Sequence, residues 1–107
     1  MRTHQEIDER SLALHRLIAE KIRRDPVLLD SAKETVARWQ TMVCQSSQPY
    51  LAEWASILAQ GAEASLAMAV EDSPRATALR QSSPFTKVLS NAERFAFLKA
   101  WKSHETQ

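Results

Sequence analysis

Arg10 and His15 are the residues of this chain whose types and spacing come nearest to a catalytic pair. Ser11-Leu12-Ala13-Leu14 separate them, so on a helix the two side chains lie on roughly adjacent faces. A histidine in such a pair would handle a proton and the arginine a phosphate charge, the two tasks of phosphodiester cleavage. The plainer account is a solvated helix face, because this spacing of common charged residues arises by chance.

The pair resembles the Arg-xxxx-His motif of HEPN ribonucleases, which are also all-helical. That resemblance implies a ribonuclease using Arg10 and His15. The family places its motif near a later helix, whereas here it falls in the first. Other chemistry is thinner. His4 and His15 share a face but stand about 16 Å apart along a helix, too far to hold one ion. His104 lies near the end of the sequence, and Cys44 has no Cys or His at ligand spacing, so it reads as a small core residue. Glu71-Asp72 reads as turn chemistry. With Gly61 the only glycine, a glycine-rich phosphate loop and a nucleophile elbow are both excluded. The expectation is a non-enzymatic protein with no metal and no cofactor.

The elements that must position these residues are helices. The chain has 107 residues, 44% apolar and 25% charged, which suits one globular domain over 1–107. A single glycine argues against hairpin-rich β structure, while alanine, leucine, glutamate, glutamine and arginine favour helix. A first helix is expected from about Thr3 to Arg23, with Ile7, Leu14, Leu17, Ile18 and Ile22 as its apolar stripe. Asp25-Pro26 then reads as a cap and a first-turn proline, so the first two helices should form an antiparallel hairpin. The second helix runs to about Gln45 and buries Leu28 or Leu29, Ala32, Val36, Trp39 and Val43.

Ser46-Ser47-Gln48-Pro49 repeats the cap-and-proline grammar before a third helix with Tyr50, Leu51, Trp54, Ile57, Leu58 and Leu66, which Gly61 kinks or divides. Asp72-Ser73-Pro74 opens a short helix to about Arg80, and Gln81-Ser82-Ser83-Pro84-Phe85 forms a loop. Ser90 and Glu93 make a capping box for a last helix, Asn91 to about Lys102, with Phe95, Leu98 and Trp101 facing inward and Phe97 to the side. The fold expected is all-α, an orphan bundle of about five helices. Trp39, Trp54 and Trp101 all read as core.

Charge is unevenly spread: residues 1–24 carry a net +2, residues 25–72 a net −5 and residues 73–107 a net +4. Arg75, Arg80, Lys87, Arg94, Lys99 and Lys102 make the last third basic, which suits phosphate contacts as one reading. The start of the sequence lacks a signal-peptide core, no apolar run reaches the roughly 20 residues of a membrane span, and a lone cysteine fits a reducing compartment. A cytoplasmic protein is expected.

The run from Ile7 to Arg23 (IDERSLALHRLIAEKIR), the following Asp25-Pro-Val-Leu-Leu29, Trp39, and the segment from Leu79 to Arg94 (LRQSSPFTKVLSNAER) together resemble small helical antitoxin-like proteins of bacterial toxin–antitoxin pairs. The resemblance implies a protein partner, a toxin of the nuclease or nucleotidyltransferase kind, encoded by a neighbouring gene. It carries no inhibitory residues over to this sequence. The contact surface expected from the residues themselves is Arg80, Gln81, Ser82, Ser83, Pro84 and Phe85 with Arg94 on the last helix. A plainer role for the loop is that Phe85 staples the last helix to the core. Nucleic acid and a second copy of the chain stay open as partners.

Overall fold

The computed structural model describes residues 4–42, 48–85 and 87–105. Among them run six helices and no strand: α1 (His4–Arg24), α2 (Leu28–Trp39), α3 (Gln48–Ala59), α4 (Ala62–Ala69), α5 (Pro74–Arg80) and α6 (Asn91–Glu105). The sixth arises where Gly61 divides the expected third helix. Its φ of 114° and ψ of 178° lie in a region essentially reserved for glycine, so the α-helix cannot continue through it. The Gly61 N–H closes α3 on the Leu58 carbonyl at 3.2 Å, and its own carbonyl accepts the Ser65 N–H and hydroxyl to begin α4.

Two of the caps read from the sequence are formed. Ser73 accepts the Ala76 N–H at 3.1 Å ahead of Pro74. Ser90 and Glu93 exchange reciprocal bonds, the Glu93 N–H to Ser90 Oγ at 3.1 Å and the Ser90 N–H to Glu93 Oε1 at 2.9 Å. Asp25 behaves differently. The start of α2 moves on to Leu28, whose N–H bonds the Asp25 carbonyl at 3.0 Å, and the cap position falls to Val27, without a side-chain bond. The hydrogen bonds described at the turn between α1 and α2 run from backbone to backbone. Val43, Cys44, Ser46 and Ser47 lie outside the described residues, as do the side chains of His4 and His104.

The principal packing partners of α1 are α4 and α5, while α2 packs on α3 and α3 on α4. The N-terminal pair is thus a sequential connection whose two helices find their main partners elsewhere. Ile18, Ile22, Leu29, Val36, Ile57, Leu58, Leu66 and Leu79 form the core with Trp54 and Phe85. Trp54 and Phe85 are both wholly buried and meet edge to face at 5.2 Å, and the Trp54 indole N–H donates to the Leu79 carbonyl at 2.8 Å. Trp39 and Trp101 are only half-buried, so the core role expected of all three tryptophans holds for Trp54 alone.

The last helix departs most from expectation. None of its described side chains is buried: Phe95 is 72% and Leu98 40% exposed, while Phe97 and Trp101 are half-buried and stacked at 6.1 Å. Phe85, Val88 and Leu89 belong to the core, whereas no described side chain of α6 does. The helix is moored at its start instead, where Lys21 Nζ reaches Glu93 Oε1 at 2.5 Å and the Val88 carbonyl at 2.8 Å.

Candidate functional site

One face of each of three helices meets in an open groove of about 410 Å³. From α1 come Ile7, Arg10, Ser11 and Leu14, at intervals of three and four residues, with Asp8 beside them. From the end of α5 come Thr77, Arg80 and the adjoining Gln81; from α6 come Arg94, Phe97 and Leu98. The groove is an aliphatic and aromatic floor carrying three arginines and one aspartate.

Arg10 is half-buried and makes no hydrogen bond or ion pair among the described residues. Arg80 is only 5% exposed. Its guanidinium donates to the Glu71 carbonyl at 2.7 Å, the Ala69 carbonyl at 3.2 Å and Thr77 Oγ1 at 3.2 Å, tying the end of α4 to α5. Those acceptors are all neutral. Burial lowers the Arg80 pKa, which the charges of Asp72 and Asp8 partly oppose. Arg94 adds its charge from α6.

A second polar cluster is built on His15. His15 is buried, with Nδ1 at 2.7 Å from the Ser11 carbonyl and Nε2 at 2.7 Å from Ser83 Oγ. A carbonyl can only accept, so Nδ1 carries the proton and Nε2 accepts from the Ser83 hydroxyl. Ser83 Oγ in turn accepts the Phe85 N–H at 3.2 Å. Desolvation, helped by the Arg80 charge and opposed by the Ser11 carbonyl, lowers the His15 pKa from 6.5 to about 4, so the imidazole is neutral at physiological pH. A hydroxyl held on an imidazole nitrogen has the outline of a nucleophile and its base. Here both side chains are buried, and the pair fastens the turn before Phe85 to α1.

Of the two residues that match a phosphodiester-cleaving pair, Arg10 lines the groove, whereas His15 is buried with both ring nitrogens engaged. The residues expected to meet a partner also divide. Arg80, Gln81 and Arg94 come together in the groove. Ser83, Pro84 and Phe85 are buried and Ser82 half-buried, because Phe85 is drawn between His15 and Trp54. Phe85 is thus a core residue. Ile7, Asp8, Ser11, Leu14, Thr77, Phe97 and Leu98 complete the groove, and none of them is a site residue expected from the sequence. The helical spacing of Ile7 to Leu14 was visible, but it reads identically for a core stripe.

Among the described residues no group of histidine, cysteine, aspartate and glutamate could hold a metal ion, and no helix is long and apolar enough to cross a membrane. Comparison with protein families, curated proteins and solved structures finds none that matches the chain.

Proposed function

We propose that this chain is a non-catalytic interaction module that binds and restrains a partner protein through the groove and the outer face of α6. The observation that carries this reading is α6 itself: Phe95 and Leu98 are exposed beside the half-buried Phe97 and Trp101, on a helix with no buried side chain among those described. Aromatic side chains presented next to arginine are the residue types that dominate binding energy at protein interfaces. The resemblance to antitoxin-like proteins supplies the kind of partner, a toxin whose activity the contact would block.

A photoreactive phenylalanine analogue placed at position 95 in living cells tests this. It should crosslink to one protein, while the same analogue at Val27, equally exposed but at the start of α2 rather than on α6, should not. Equal crosslinking from both positions, or none from position 95, removes the basis of the reading.

A second reading is a nucleic-acid binder, favoured by the exposure of Lys87, Lys99 and Lys102. Arg75 is less available to it, being ion-paired to Glu53, and Arg80 is buried. Binding through those lysines should weaken steeply as salt rises.

A further inference from the structure

We infer that α6 is a hinged arm, which swings away as one unit about Leu89-Ser90 while α1 to α5 stay packed, and that Lys21 is its latch. Burial is the first ground. The buried apolar side chains of the core all fall between Ile18 and Leu89, and no described side chain of α6 is among them. Nor does α6 share the close helix–helix packing that joins α1, α2, α3, α4 and α5 to one another. Opening the arm forfeits the half-buried contacts of Phe97 and Trp101, whereas unfolding α1 or α3 exposes Ile18, Ile22 and Trp54. Arg94 and Trp101 have partners of their own, but neither side chain is buried. A segment with so little buried apolar surface opens at a smaller free energy than the whole domain.

The junction supplies the second ground. Leu89 is anchored in the core and Ser90 is exposed, so the chain leaves the core between them. Ser90 and Glu93 cap α6 upon itself, and the arm carries that cap with it. Lys21, on α1, spans the hinge: its Nζ donates to the Val88 carbonyl at 2.8 Å on one side and to Glu93 Oε1 at 2.5 Å on the other. Both side chains of that ion pair are partly exposed, 27% for Lys21 and 43% for Glu93, so water competes for it and the latch is weak. Opening parts Phe97 and Leu98 of α6 from Ile7 and Leu14 of α1, which widens the groove. The exposed Phe95 travels with the arm. The motion belongs to the chain alone and needs no partner.

The test is native-state hydrogen exchange of the full chain at neutral pH, resolved residue by residue. A detached helix of 15 residues is marginal, so its amides exchange once the arm opens. The amides from Phe95 to Lys99 should exchange together, at least about a hundredfold faster than those of Ile18, Ile22 and Leu58, and with a much shallower urea dependence. Lys21→Met keeps the aliphatic stem and removes the latch, and should speed α6 exchange about fivefold, the scale of a partly exposed ion pair. Lys33→Met, at an exposed position on α2, should leave it unchanged. Ile57→Val, in the core, should speed exchange at Ile18, Ile22 and Leu58 about fivefold and leave α6 as it was, because the open and closed forms lose the same methylene. Equal rates and equal urea dependence in α6 and the core, acceleration of α6 by Ile57→Val, or indifference of α6 to Lys21→Met would overturn the inference. Protection that rises steadily from Lys99 back to Phe95 would overturn it too, since that is fraying and not a hinge.

Discussion

At about pH 5 the unfolded chain carries a proton on His15, whereas the folded chain holds that imidazole neutral between the Ser11 carbonyl and the Ser83 hydroxyl. The folded value of about 4 lies below the ordinary 6.5, so between those limits the unfolded state binds more protons and stability rises with pH. The contribution is fully present above 6.5 and is lost as pH falls through about 4. Over the whole interval it amounts to about 3 kcal/mol, and about 2 kcal/mol of that is gone by pH 5. Glu93 does not confuse this window, because its titration lies lower, at about 2 in the fold. The assay is urea unfolding followed by tryptophan fluorescence, at about pH 7.5 and about pH 5, in the native chain and in His15→Gln. The native chain should lose about 2 kcal/mol between the two conditions and the variant far less. An equal loss in both would refute the placement of a neutral, doubly bonded His15 in the core.

Phe85→Ala removes a wholly buried ring from contact with Trp54 and His15, and should cost about 3–5 kcal/mol, read as a lower denaturant midpoint. Gly61→Ala meets no atom within 4 Å, so its expected cost of about 1–3 kcal/mol comes from the backbone conformation alone. A neutral effect would show that α3 and α4 can join differently. Glu93 is held down to about 2, first by the Lys21 hydrogen bond and then by the Ser90 N–H. Its depressed value means that its mooring of α6 is complete above the ordinary 4.5 and lost as pH falls through about 2, a change that hydrogen exchange in α6 should follow and Glu93→Gln should abolish.

The parts of the fold that were legible in the sequence are those decided within about four residues. The Ser73-Pro74 cap and the Ser90–Glu93 box are local bonds, and Gly61 ends a helix through its own backbone freedom. Asp25 shows the limit even of local rules, since its carbonyl serves where its side chain was expected. What escaped depends on which face of a helix finds a neighbour. Phe95 and Leu98 keep the spacing of a core stripe, yet they are exposed, while Phe85, Val88 and Leu89 belong to the core. His15 and Ser83 lie 68 residues apart, and nothing in either neighbourhood announces their bond. The candidate site was half visible for the same reason. Arg80, Gln81 and Arg94 stood out by type, and Arg10 for a different chemistry; their meeting with Ile7, Leu14 and Phe97 is a product of tertiary packing.

The central claim is that the outer face of α6 and the groove beside it bind a protein. Its most direct test is native mass spectrometry of the tagged chain purified from its own host, beside the double variant Phe95→Asp and Leu98→Asp. Both positions are exposed, so the variant should keep its helicity. The native chain should emerge in a stoichiometric complex with another protein, and the variant alone. A partner retained equally by both, or a native chain that emerges alone or with nucleic acid only, would contradict the account.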